Sequence, residues 1–308
     1  MISVVFPGQG SQKVGMGSDL YNEFVYVKEI FLKGDEILRF KISDLILNGP
    51  QEKLNQTTFT QPAIYLIGCT ICEVLKKEKD FFQKKFNFFA GHSLGEYTAL
   101  TATNSITVQQ GLMLLKNRGE AMQSAVPLGE GGMMAVLGVE VEEIKSILNN
   151  NSDSIKCFLA NDNSIGQVIL SGKNKELDKL SLILKEKKIK NIKLPVSAPF
   201  HCELMKTATL KMKQIINEQT FKDPSNKVVS NVTANEYKNP EQIKQLLIQQ
   251  IESPVRWRET IQFMILNGSN TFVEIGPGRV LSGLIKRIDK EVNVLNIDKV
   301  EDIQGINL

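Results

Sequence analysis

Residues 86 to 103 read FNFFAGHSLGEYTALTAT: an apolar run, a serine with a glycine two places to either side, then a stretch of helix formers. This predicts a strand over 86–90, a sharp turn at 91–95 and a helix over about 94–103, which fixes the chain direction at one sheet edge. Apolar stretches before and after it, a short strand at the N-terminus and helical spacing over 61–77 and 108–123, extend the order to strand, helix, strand, helix. That alternation predicts a parallel α/β sheet whose site lies beyond the carboxyl ends of its strands.

The pattern Gly91-His92-Ser93-Leu94-Gly95 fits a nucleophile elbow, in which the tight turn thrusts the serine oxygen out over the sheet. The following helix directs its N-terminal N–H groups and positive dipole end at the same spot. The plainer alternative is Ser93 as an ordinary helix N-cap.

The first strand leads into PGQGSQKVGMG, a glycine-rich loop, and then a helical stretch over 20–38. A dinucleotide fingerprint from Gly8 needs glycine where Lys13 stands, and a P-loop from Gly10 needs lysine where Met16 stands, so neither phosphate motif is present. Such a loop can instead bring bare backbone N–H groups close to a ligand. Over residues 124–196 the pattern becomes β-α-β-β-α-β: GGMMAVLGV, EVEEIKSILNN, IKCFLAND, an Asn/Asp-rich connection, GQVILSG, NKELDKLSLILKEKK and IKNIKLPV. This predicts a ferredoxin-like subdomain inserted into an α/β-hydrolase-like parallel-sheet core made of residues 1–123 and 197–308. Helices around 203–219 and 240–251, the strand KVVSNV, a helix from Trp257, the strand TFVEIGPG and a last helix and strand complete the large part.

At 308 residues, 42% hydrophobic and 23% charged, the chain has the composition of a soluble globular protein. A net charge of +3 argues against nucleic acid as the main partner. No run approaches the roughly 20 apolar residues of a membrane span, and the N-terminus begins as a strand rather than a cleavable signal. Cys69 and Cys72 form a C-x-x-C, but in a helical apolar stretch with no second pair and no nearby histidine, which reads as buried structural cysteine.

A serine needs a base, and the chain has two histidines. His92 adjoins Ser93 on a tight turn, where consecutive side chains diverge; His201, at a loop-to-helix boundary in LPVSAPFHCELM, is the better candidate. For a developing oxyanion, the backbone N–H of Leu94 is one natural donor, and the loop holding Gln9 could supply the other. Arg118, one of six arginines, sits beside Gly119 and offers a planar fork suited to a carboxylate; its alternative is a surface ion pair with Glu120 or a neighbour.

FPGQGSQ at 6–12, GHSLGEY at 91–97, NRGEAMQ at 117–123, SAPFHCELM at 197–205, SPVRW at 253–257 and EIGPG at 274–278 together resemble the ordered motif set of malonyl-CoA:acyl carrier protein transacylases of type II fatty acid synthesis. The resemblance spans nearly the whole chain. It implies a ping-pong transfer of malonyl from malonyl-CoA to the phosphopantetheine thiol of acyl carrier protein, with no cofactor and no metal. It also implies Ser93 as nucleophile, His201 as base, the N–H groups of Gln9 and Leu94 as oxyanion hole, and Arg118 on the malonyl carboxylate. Gln250 matches the position whose main-chain carbonyl orients the histidine, and Phe200 matches family members that prefer malonyl to bulkier units. Lys188, Lys190, Arg256, Arg279 and Arg287 are then candidates to meet the acidic carrier. GGMMAVLG departs from the family's GAMAAVLG-like strand, an expected change in packing between subdomains. A monomer is expected, cytoplasmic or in an organelle matrix or plastid after removal of a targeting peptide. The rival expectations are a hydrolase with water as acceptor and a silent carrier-binding scaffold.

Overall fold

The computed structural model describes residues 1–196 and 198–306; Ser197, the first residue of SAPFHCELM and one edge of the expected division, lies outside the described residues. Nine strands form two sheets: β1 Ile2–Phe6, β2 Phe89–Gly91, β3 Gly131–Leu137, β4 Cys157–Ser164, β5 Gln167–Lys173, β6 Lys190–Lys193, β7 Val228–Val229, β8 Thr271–Ile275 and β9 Asn293–Ile297. The first sheet has the order β7-β2-β1-β8-β9, and every neighbouring pair in it is parallel. Its inner strands are largely apolar because both faces are covered. Val4, Phe6, Phe89, Val273 and Ile275 join one core cluster, while Val5, Ala90 and Phe272 join another on the opposite face. The first cluster is roofed by the helices Thr57–Lys79 and Gly95–Ala102, the second by Trp257–Leu266 and Val280–Ile288.

The second sheet, β4-β5-β3-β6, is antiparallel throughout. Each of its two helices, Val141–Asn150 and Asn174–Glu186, links two like-directed strands with a third between them, which is the expected split β-α-β arrangement. Alternation sorts its residues: Met134, Val136, Val168 and Leu170 pack under those helices, whereas Met133, Ala135 and Ile169 belong to the cluster that holds Val4 and Phe6. Met134, where the strand departs from the family pattern, therefore faces the core of the small sheet itself rather than the junction between the sheets.

Three details differ from expectation. The Asn/Asp-rich connection is strand: β4 runs on through Ser164 with register shifts at 159/161 and 162/164, because its polar side chains find partners in His92 and Arg258. Asn161 also pairs as a parallel bridge with Val255. The helix expected over 20–38 breaks at Phe24, which is extended, giving Ser18–Glu23 and Val25–Leu38. Finally, Thr57–Lys79 does reach the length and hydropathy of a membrane span, yet 78% of its apolar window is buried inside the protein. Its apolar surface is consumed by the core, and on it Cys69 is buried but Cys72 only half-buried, both thiols pushed up by desolvation.

Candidate active site

β1 and β2 end side by side, and the His92 N–H donates to the Phe6 carbonyl at 3.0 Å, so the glycine-rich loop after β1 meets the turn after β2. The turn leaves no space for side chains at its glycines. A Cβ on Gly91 would lie 1.9 Å from the Gly95 carbonyl carbon, and one on Gly95 would lie 2.3 Å from the Phe6 oxygen. Ser93 between them has φ 52°, the left-handed conformation that an elbow demands and that serine seldom adopts. Two bonds from Asn231 pin this strained turn: its Oδ1 accepts from the Ser93 N–H at 2.7 Å, and its Nδ2 donates to the Gly91 carbonyl at 2.8 Å. Ser93 is not the N-cap; Leu94 holds that place without a side-chain cap bond.

The Ser93 Oγ lies 2.9 Å from His201 Nε2. His201 Nδ1 lies 2.9 Å from the Gln250 main-chain oxygen, which can only accept, so Nδ1 carries the proton and Nε2 is left to accept from the serine. The serine has a second neighbour, for Arg118 Nη2 donates to the same Oγ at 3.1 Å. Arg118 is 1% exposed and makes no ion pair with Glu120 or any other residue among those described. Its Nη1 donates to Gln61 Oε1 and its Nη2 to Gln250 Oε1, both at 2.8 Å. Gly119 does allow a close approach, but by another helix: a Cβ there would lie 2.7 Å from the Thr57 carbonyl oxygen.

Gln9, Ser93, Leu94, Arg118, Phe200 and His201 line one cleft of about 600 Å³ between the two sheets. The N–H groups of Gln9 and Leu94 have no acceptor among the described residues, while the Gln9 side chain turns aside to Thr57 Oγ1 at 3.3 Å. Gln250 is fully buried behind the cleft. A second cavity of about 530 Å³, by Cys69, Asn104 and Lys222, contains neither histidine nor arginine. Among the described residues no group of three or more histidine, cysteine or acidic side chains is placed to hold a metal.

Of the basic residues singled out, Arg279 and Arg287 flank or lie on the helix Val280–Ile288, which lines the cleft, and Arg287 donates to Gln167 at its rim. Arg256 is engaged by Glu259 and by the Val232 and Thr233 carbonyls, so its charge is largely committed within the chain. Lys190 begins the edge strand β6 and Lys188 lies two residues before it.

His92 points away from the serine. Its Nε2 lies 2.9 Å from Asn163 Oδ1 and 3.3 Å from Asn161 Nδ2, both on β4, and its ring packs on Trp257. Sequence reasoning also passed over Gln61, Glu96 and Asn231. Glu96 is within GHSLGEY, fully buried, and accepts from Tyr237 Oη, Gln250 Nε2 and the Asn231 N–H. An acidic side chain three places after the serine on a core-facing helix was the available signal.

Burial sets the titration of this region. It pulls His201 down to about 3, with the Arg118 charge adding to it, pulls His92 down to about 4, and pushes Glu96 up to about 7. Both histidines are neutral in the fold, and no others exist. As pH falls below 6.5 the unfolded chain takes up two protons that the native chain refuses, which favours unfolding. Between pH 7 and 4.5 native Glu96 takes one that the unfolded chain refuses, which opposes it. These three groups therefore lower stability as pH falls between roughly 6 and 4.5, through a net uptake of about one proton on unfolding. Denaturant unfolding at several pH values checks this, and His92→Gln is expected to flatten the slope; an unaltered slope would count against a neutral His92.

The pattern of the acyl transferase domain matches residues 4–303. The malonyl CoA-acyl carrier protein transacylase of Bacillus subtilis (strain 168) is 40% identical over 305 residues, 98% of this chain and 95% of that protein. The crystal structure of acyl-carrier-protein-S-malonyltransferase from Bartonella henselae is similar with a TM-score of 0.95 and 38% identity, covering 99% of this chain and 97% of that one. A malonyl-transacylase solved in complex with its type II PKS acyl-carrier protein is similar with a TM-score of 0.94 and 35% identity, covering 98% of this chain and 97% of that one. With its elbow serine, histidine and arginine meeting at one oxygen and its full length matched, the chain belongs to the acyl transferase domain family.

Proposed function

We propose that this protein transfers malonyl from malonyl-CoA to the phosphopantetheine thiol of acyl carrier protein through a malonyl ester on Ser93, supplying extender units for fatty acid biosynthesis. The observation that carries the reading is the Ser93 Oγ placed between a neutral histidine nitrogen and a buried guanidinium. His201 Nε2 takes the hydroxyl proton as Oγ attacks the thioester carbon. The N–H groups of Gln9 and Leu94 receive the developing oxyanion, an interaction for which losing one donor costs on the order of 100- to 1000-fold in rate. Collapse breaks the carbon–sulfur bond, and the proton on His201 passes to the CoA sulfur. The carrier thiol then gives its proton to His201, attacks the ester, and the serine oxygen recovers the proton as malonyl departs. The Gln250 carbonyl keeps His201 in the required tautomer throughout, so no acidic third member is needed.

Arg118 grips the free carboxylate of the malonyl group, and Phe200 walls the acyl end of the cleft. No step draws on a cofactor, since the phosphopantetheine arrives on the acceptor. Residues 1–123 with 197–308 act as the catalytic part and residues 124–196 as the small subdomain that closes the cleft. The similar proteins named above support this assignment, and the bacterial ones among them favour a cytoplasmic location.

The test is an intact-mass time course. Malonyl-CoA is expected to leave a malonyl adduct on the protein, and added holo-acyl carrier protein to remove it and acquire the malonyl itself. Equal malonate release with and without the carrier would establish a hydrolase instead.

A further inference from the structure

A single amide separates the buried carboxylate of Glu96 from the buried guanidinium of Arg118. Gln250 Nε2 donates to Glu96 Oε2 at 2.6 Å and to the Ser93 carbonyl at 3.1 Å, while Gln250 Oε1 accepts from Arg118 Nη2 at 2.8 Å. The two ends of an amide are not interchangeable, for Oε1 only accepts and Nε2 only donates. With acceptors on one side and a guanidinium on the other, only one orientation satisfies both. Turned over, the amide would set donor against donor at Arg118. Glu96 is itself held by Tyr237 Oη and by the Asn231 N–H at 3.2 Å, so the orientation is anchored to the strand-end loop that also pins the serine turn.

The interposed amide has an electrostatic effect as well. A buried guanidinium ordinarily sits against a carboxylate. Here Arg118 donates to the neutral oxygens of Gln61, Gln250 and Ser93, its guanidinium lies 5.8 Å from the Tyr97 ring centroid, and Glu96 acts on it from one residue further away. The charge is thus stabilised while the fork stays uncommitted to any carboxylate of the chain. Gln250 also divides its duties: its main chain holds His201 and its side chain holds Arg118, so the two can be altered separately.

We infer that Glu96, acting through the Gln250 amide, is a positioning residue that aims the Arg118 fork at acyl groups ending in a carboxylate and thereby sets the preference for malonyl over acetyl donors. This rests on the malonyl-transfer reading of the site.

The experiment measures acylation of Ser93 by malonyl-CoA and by acetyl-CoA, followed by intact mass, and compares the kcat/KM ratio of the two donors. Glu96→Gln presents an NH2 that lets the Gln250 amide turn over; the malonyl-to-acetyl ratio is expected to fall about tenfold, mostly through KM for malonyl-CoA. The exchange variant Glu96→Gln with Gln250→Glu keeps one carboxylate and one amide in the same volume, and keeps the main-chain bond to His201. It places the carboxylate on Arg118, so its ratio is expected to stay depressed while its melting temperature recovers toward that of the unmutated protein. Should Glu96→Gln fail to fold, the exchange variant carries the test alone. A proportional loss with both donors, or an unchanged ratio, overturns the positioning role and leaves malonyl transfer standing. Absence of any malonyl adduct on the unmutated protein overturns the transfer reading, and this inference with it.

Discussion

His201→Ala is expected to slow acylation of Ser93 by about 100- to 10,000-fold, the range for removing a general base, and Ser93→Ala to abolish the adduct. The pH dependence makes the test specific. An ordinary imidazole near 6.5 would be half protonated there and mostly lost as a base by pH 5. Burial and the Arg118 charge hold His201 down to about 3, so the neutral base persists across that interval. Acylation of the unmutated protein by acetyl-CoA, whose acyl group offers Arg118 no carboxylate, is therefore expected to be nearly constant from pH 5 to 8. A fall centred near 6.5 would mean that the base titrates normally and would count against a His201 held neutral by burial.

Arg118→Ala is expected to lower the malonyl-to-acetyl ratio of kcat/KM by about 10- to 150-fold, the equivalent of one charge-assisted hydrogen bond of about 1.5–3 kcal/mol. Part of the loss in malonyl acylation will be shared by acetyl, because Arg118 Nη2 also donates to Ser93 Oγ. The ratio removes that shared part. The protein will also be less stable, since Gln61 Oε1 and Gln250 Oε1 both lose their donor in a buried setting, at about 1–3 kcal/mol for each acceptor left without one. Arg118→Lys retains charge without the fork and is expected to fall between the two. An unchanged ratio in Arg118→Ala would remove the carboxylate from the proposed chemistry.

How much of this could be read beforehand depended on whether the information was local. The elbow was legible because its requirement is steric and contiguous: two glycines that admit no Cβ, with a serine at positive φ between them. That His201 rather than His92 lies beside the serine was legible because adjacent side chains on a turn diverge, and His92 turns to Asn163. The parallel sheet and the split β-α-β unit followed from periodicity. What escaped was whatever depends on partners distant in the chain. Gln61, Glu96 and Asn231 are ordinary polar residues until helices 57–79 and 95–102 and the loop after β7 converge on one arginine and one serine. The run at 161–164 misled for the same reason, since Asn and Asp favour turns unless partners such as His92 and Arg258 bind them in a strand.

Met133, Ala135 and Ile169 belong to the same apolar cluster as Val4 and Phe6. The antiparallel layer thus has a private core on one side and a shared one on the other, and it cannot loosen without exposing the floor beneath the parallel strands. Unfolding should then be a single cooperative event rather than two successive ones, with the acyl-binding wall among the last regions to exchange its amide hydrogens.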